Sequence, residues 1–319
     1  MAESRGGIDL GGTKIQAVVV DGGGTVQGKA RRPTPTEGGP ADVAEAMATA
    51  LREAAAAAGL EPGGLAGIGV GSPGDADGET GVVSSARNLP GWEGSFPLGA
   101  TLAKALGTEV RIGNDVQVAV EGEYALGAGR GFGSLLGVWW GTGVGGGIVL
   151  DGVPWLGRGA AGEIGHIVVE RDGARCPCGR RGCMEAYAGR AAMEAEALRR
   201  HEDGQETDLF KLMRKHGKPR LTSGIWKGAL DHGDELAATL IDRAIGALGT
   251  GVASACNVLD VEAVVIGGGL GDRFAQPYMD ALMHEMGKHL FSSDDPPAIE
   301  VAALGDLGGA IGASLLVAS

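Results

Sequence analysis

One pattern that occurs twice in the chain constrains its fold more than any other feature. From Gly7 to Gly23 the sequence runs as an apolar strand, a glycine turn holding a threonine, a second apolar strand, then Asp-Gly; from Gly137 to Val153 it does so again. Short apolar runs broken by glycine read as antiparallel strands joined by tight turns. An approximate repeat of such a unit reads as two related α/β domains facing each other, each offering a glycine loop to the space between. Glycine content points the same way: 61 of 319 residues, against a usual share of about 7%. Glycine lets backbone approach a ligand or another segment closely.

The remaining elements follow from periodicity. Strands are expected at 6–10, 15–21, 25–31, 65–70, 109–112, 134–140, 262–266 and 299–302, with a further strand starting at Ile148 after a glycine loop over 141–147. Helices are expected at 42–58, 98–106, 116–126, 182–201, 235–258, 278–289 and 308–317, and 202–217 reads as a polar insertion. The first domain is placed at 1–115 and a larger second one at 116–302, with the last helix, about 303–319, packing back on the first.

Charge excludes some functions. With 27 basic and 40 acidic residues the formal charge is −13, which repels phosphate backbones and argues against nucleic-acid partners. Small phosphorylated ligands stay possible, since backbone N–H groups and a metal can hold them locally. No apolar run reads as a membrane span. The start, Met1 to Arg5, has no apolar signal core, so a cytoplasmic location is expected.

Three loops follow apolar strands. The first is Asp9-Leu10-Gly11-Gly12-Thr13-Lys14, where turn N–H groups and the Thr13 hydroxyl suit a phosphate and Asp9 suits a hydrated Mg²⁺. The second begins Gly141-Thr142-Gly143. The third is Gly267-Gly268-Gly269, where a purine could lie on bare backbone. Asn114-Asp115 stands at a strand-to-helix junction, where either residue type also serves as an N-cap. Three of the four cysteines, Cys176, Cys178 and Cys183, lie within eight residues and follow His166. One nitrogen and three sulfurs make a closed tetrahedral Cys₃His set for a structural Zn²⁺, with no position left for a reacting water.

Taken together, Glu163-Ile164-Gly165-His166, Cys176-Pro177-Cys178-Gly179-Arg180-Arg181-Gly182-Cys183-Met184-Glu185 and the glycine loops resemble the ROK family of bacterial sugar kinases and repressors, and its glucokinases most. The resemblance implies an α/β, actin-like (ribonuclease H-like) two-domain sugar kinase fold with a cleft between the domains. It implies ATP-dependent phosphorylation of a hexose, glucose first, with N-acetylhexosamine, mannose or fructose as rival substrates and a non-catalytic sugar sensor as a further alternative. By position, Asp115 resembles the catalytic base, and Gly71, Asn88, Asn114, Glu163, His166 and Glu185 the sugar contacts. Asp9, Gly11, Gly12, Thr13, Lys14, Gly141, Thr142, Gly143, Gly267, Gly268 and Gly269 resemble the nucleotide side. The family implies a homodimer or homotetramer. Its repressor branch carries a DNA-binding domain before the first loop, and here that loop starts at residue 9, so none is expected.

Overall fold

A computed structural model describes residues 3–86 and 89–318. The chain divides into two compact units, 1–131 with 303–319, and 132–302.

In the first unit, β1 (Arg5–Leu10), β2 (Lys14–Val20) and β3 (Val26–Pro33) form an antiparallel meander. α1 (Pro40–Ala57) follows, then β4 (Ile68–Ser72), the small hairpin β5 (Asp75–Asp77) and β6 (Val82–Ser84), α2 (Leu98–Leu106), β7 (Val110–Asn114) and α3 (Asp115–Leu126). β4 and β7 join β1 in parallel, so the sheet order is β3-β2-β1-β4-β7. Alternation along β2 splits its valines between faces. Val19 joins Ile8, Met47, Leu51 and Ile68 under α1, while Val18 and Val20 meet Ala310 and Ile311 on the other side.

The second unit repeats this design. β8 (Leu135–Trp140), β9 (Val144–Leu150) and the two-residue β10 (Val153–Pro154) are antiparallel. Then come α4 (Glu185–Ala188), α5 (Arg190–Glu202), α6 (Leu209–Lys215), α7 (Ser223–Asp231) and α8 (Glu235–Leu259). β11 (Ala263–Gly267), α9 (Gly268–Phe274), α10 (Met279–Gly287) and β12 (Ala298–Val301) complete it. The sheet order is β10-β9-β8-β11-β12, with β11 parallel to both neighbours. The repeat seen in sequence is thus a repeat of sheet topology. By length and composition α8 could cross a membrane, but 67% of its most apolar window is buried. Leu240, Ile241, Ile245 and Leu248 of this helix are buried in one core with Leu136 and Val138 of β8 and Val264 and Ile266 of β11, which accounts for its apolarity.

The chain then returns to the first unit as α11 (Gly308–Ala313). This helix lies directly on the backbone of the sheet. A Cβ on Gly7 of β1 would land on the Ala310 carbonyl, and one on Gly69 of β4 on the Ala313 carbonyl. Gly312 makes the same kind of contact with Val118 of α3. The buried Glu123 carboxylate fixes the crossing points: it accepts from Ala128 N (2.9 Å), Ala303 N (2.9 Å) and Leu304 N (2.8 Å).

Several expectations need correction. The division falls after α3, at 131/132, and not at 115, because α3 packs on β4 and α11 within the first unit. The glycine loop over 141–147 is a turn at 141–143; Gly145, Gly146 and Gly147 pair with β8 as strand residues. The polar insertion contains α6, whose Leu209, Phe210 and Leu212 are buried. The helix expected over 182–201 starts at Glu185 and breaks at Gly189, which is extended and caps α5.

Gly69→Ala should test the close docking of α11. Overpacking of a tight core contact costs about 1–3 kcal/mol, occasionally more, and here the neighbour is backbone that no rotamer change can move. Urea denaturation should show a loss at the upper end of that range.

Candidate active site

In the first unit the site is built where β1, β4 and β7 end. Asp9 sits one residue before the end of β1, and the turn after it is closed by Gly11 N donating to Lys14 O at 2.9 Å. The Thr34 hydroxyl donates to Gly11 O at 2.6 Å and pins the turn from β3's side. Lys14 pairs with Asp306, which also accepts from Gln16 Nε2 at 3.1 Å. Gly309 packs against the Asp9 carboxyl, where a Cβ would come within 2.9 Å of Cγ.

Burial drives the Asp9 carboxyl up to about 7, and the negative charges of Asp115 and Asp306 add to the rise while Lys14 opposes it. Asp9 and Asp115 therefore feel each other, although 106 positions separate them in sequence. Asp115 opens α3. Asn114 is its N-cap: Oδ1 accepts from Val116 N at 3.0 Å and Gln117 N at 3.2 Å. The cap uses the oxygen, which leaves the amide N–H₂ as the half of Asn114 suited to a ligand. Gly71 on β4 lies against Asp115, since a Cβ there would sit 3.3 Å from the Asp115 Cα. Capping and function are both compatible with this junction. Asn88 lies outside the described residues.

In the second unit, His166, Cys176, Cys178 and Cys183 converge, their ligand atoms all within 4.8 Å of one another. Cys178 Sγ lies 3.7 Å from Cys183 Sγ, and Cys176 Sγ 3.8 Å from His166 Nδ1. A tetrahedron with metal–sulfur bonds of about 2.3 Å has edges of about 3.8 Å, so the four atoms fit one ion. Backbone hydrogen bonds shape the knuckle, with Cys176 N donating to Arg180 O and Gly182 N to Ala174 O. Gly182 has φ +78° and no room for a Cβ beside the Glu170 carbonyl. Burial pushes the Cys176 thiol up to about 12, while backbone N–H donation at Arg180 draws Cys178 down to about 6. An ion would hold all three as thiolates.

His166 turns Nδ1 toward the sulfurs and Nε2 toward Glu163, whose Oε2 is 3.8 Å away. One nitrogen can serve a metal while the other, fixed as N–H, faces a ligand. Glu185 follows Cys183 by two residues. Its Oε2 accepts from Val144 N at 3.0 Å, and its Oε1 lies 3.8 Å from Cys176 Sγ. A Cβ on Gly143 would collide with Glu185, so this glycine is what lets the carboxylate reach the turn. The turn Gly141-Thr142-Gly143 joins β8 to β9, while Gly267 ends β11 and Gly268 and Gly269 open α9.

Two residues at these sites escaped the sequence reading. Asp306 was signalled: Asp306-Leu307-Gly308-Gly309 repeats Asp9-Leu10-Gly11-Gly12 letter for letter. Arg190, whose guanidinium donates to Thr142 Oγ1 at 2.8 Å, carried no such signal.

Two units of one sheet topology, with strand-end acids, glycine turns and a Cys₃His knuckle, have the two-domain, actin-like fold of sugar kinases. The sequence profile of the ROK family matches residues 5–319, and the chain belongs to that family. It is 36% identical to a glucokinase of Thermotoga maritima over 83% of this chain and 81% of that protein. It is 35% identical to a glucokinase of Halalkalibacterium halodurans (98% and 94% covered) and 33% to an N-acetylgalactosamine kinase of Shewanella (97% and 95%). Among solved structures, a ROK family glucokinase from Streptomyces griseus in complex with glucose and AMPPNP superposes with a TM-score of 0.81 at 29% identity, covering 98% of each chain. A ROK hexokinase from Thermus thermophilus gives 0.79 at 34%, covering 98% and 97%.

The raised Asp9 value makes a stability prediction. The fold favours the protonated acid, so the cost of ionising it is absent below the ordinary value of 3.8 and complete above about 7. Stability of the protein without ligands should fall across that window as pH rises. Asp9→Asn should raise Tm by several degrees at pH 8 and far less at pH 4, as read by thermal melts without nucleotide or divalent cation.

Proposed function

We propose that this protein phosphorylates the 6-hydroxyl of a hexose, glucose first, with ATP as donor. The observation that carries the reading is Asp115: a carboxylate at the start of α3, held by the Asn114 cap and set beside Gly71 within the field of Asp9. Asp115 accepts the proton of the sugar hydroxyl as its oxygen attacks the γ-phosphate in line. Such transfers depend on placement and charge stabilisation more than on covalent chemistry.

The other residues supply those needs. Glu163, His166 Nε2, Glu185 and the Asn114 amide bind sugar hydroxyls, with Asn88 and Gly71 as further contacts. The turns at Gly11–Lys14 and Gly141–Gly143 present N–H groups and the hydroxyls of Thr13 and Thr142 to the phosphates. Gly267–Gly269 serve the adenosine. Asp9 is the residue suited to hold Mg²⁺, which neutralises phosphate charge when bound. His166 Nδ1, Cys176, Cys178 and Cys183 suit Zn²⁺, whose part is to fix the knuckle and the aim of the imidazole.

Glucose is preferred to an N-acetylhexosamine because the two glucokinases are more similar to this chain than the N-acetylgalactosamine kinase is. We place the enzyme in the cytoplasm. The exposed apolar side chains of Val153, Trp155 and Leu156 support a homodimer or homotetramer.

Asp115→Asn should lower kcat by about 10²–10⁴, the usual contribution of a positioned base, with the melting curve unchanged. A folded variant with near-normal turnover in a coupled ADP-release assay would remove Asp115 from the mechanism. The same assay over glucose, mannose, fructose and N-acetylhexosamines ranks the substrates, and inorganic polyphosphate in place of ATP tests the donor. Elemental analysis should find about one zinc per chain, lost in Cys178→Ser together with thermal stability.

A further inference from the structure

Arg190 is the first residue of α5, immediately after Gly189. Its backbone N donates to Gly141 O at 3.1 Å, and the next residue, Ala191, donates to Thr142 O at 3.0 Å. Two carbonyls of the glycine turn are thus tied to the start of α5. Gly189 permits the approach, since a Cβ there would meet Glu185 O at 2.8 Å and the Gly143 Cα at 3.3 Å.

The side chain closes on the same turn. One Nη2–H goes to Thr142 Oγ1 at 2.8 Å; Nη1 donates to Leu221 O at 3.3 Å and to Glu194 Oε2 at 3.4 Å. Only 12% of the side chain is exposed. Arg220 adds a second positive charge near it, and Glu194 is the carboxylate that pairs with Arg190. In a chain of net charge −13, the Arg190 guanidinium beside a glycine turn is a local exception.

Chemistry then fixes the hydroxyl. A threonine Oγ that accepts from an arginine cannot point its own hydrogen at that donor, so its O–H is turned elsewhere as a donor. We infer that Arg190 is a positioning residue for the phosphoryl donor: it sets the Thr142 hydroxyl as a hydrogen-bond donor to a phosphate oxygen and lends positive charge to the Gly141–Gly143 turn. The inference rests on the reading of that turn as a phosphate site and goes beyond it by naming the group that preorganises it. Because Cys183, Glu185, Gly189 and Arg190 lie on one short segment, the metal knuckle and this turn are held by the same strut.

Steady-state kinetics in glucose and ATP, together with calorimetric binding of AMPPNP, test it on the full chain. Arg190→Ala should raise the ATP KM and the AMPPNP Kd about tenfold or more, the scale of one charge-assisted bond. The glucose KM should stay within about twofold and zinc content should not change. Arg190→Lys should recover part of the loss, because it restores charge without the fork geometry. Thr142→Val should act in the same direction, and the double variant should be no worse than the worse single one, because the two side chains work as one unit. Unchanged donor constants in Arg190→Ala, or glucose and ATP KM rising together with a lowered Tm, would overturn the assignment. Should Arg190→Ala not fold, Thr142→Val with an unchanged AMPPNP Kd would overturn it equally. A wild type that binds AMPPNP but phosphorylates no sugar would sink the kinase reading while leaving Arg190 assigned through its effect on Kd.

Discussion

The docking of α11 onto bare backbone is the contact on which the first unit depends. Helices normally meet sheets through side chains, at separations that side-chain volume sets. Here Gly7 and Gly69 remove that volume, and the helix backbone touches β1 and β4 directly. Two consequences follow for the site. The segment before the helix carries Asp306 to Lys14 and Gln16, and Gly309 presses on the Asp9 carboxyl. Gly309 of α11 thus contributes to the burial that raises the Asp9 value. Glu123 secures the arrangement with three backbone N–H bonds, a set of partners that compensates a buried carboxylate.

In the second unit the corresponding organiser is the segment from Cys183 to Arg190. It starts in the Cys₃His cluster, sends the Glu185 carboxylate to Val144 N, bends at Gly189 and ends with Arg190 on Thr142. A knuckle of four ligands is a cheap way to make a short, loop-rich stretch rigid, because one ion replaces a core that such a stretch cannot build. An ion there would fix His166 as well: with Nδ1 toward the sulfurs, the ring has one remaining nitrogen, and it faces Glu163. Sugar recognition needs such fixed donors and acceptors, since a loose side chain loses in ordering entropy what it gains per hydrogen bond.

Much of this was legible in the sequence, for reasons that differ by region. The strands around Asp9 and Thr142 were readable because apolar period and glycine turns are local signals, and the repeat reappeared as one sheet order used twice. The ligand cluster was readable because three cysteines and a histidine at tight spacing leave few other uses. Gly145 to Gly147 were misread as loop, since glycine marks both turns and strands that another backbone approaches; Gly146 is of the second kind, with Gly162 O 2.7 Å from where its Cβ would be. The α6 helix was missed because the buried face of Leu209, Phe210 and Leu212 is only one turn long within a charged stretch.

The sequence by itself determined most of the strands and longer helices, the doubled topology and the Cys₃His cluster, because each of these is written in local spacing or residue chemistry. What only the tertiary structure decided are relations between distant positions. It placed Asp306 on Lys14 across 292 residues and Arg190 on Thr142 across 48, and it put Asp115 in the field of Asp9. It also decided which glycines make turns and which make room for another chain segment. The physical reason is the same in each case: burial, field and close approach are properties of a neighbourhood, and a neighbourhood exists only once the chain has folded back on itself.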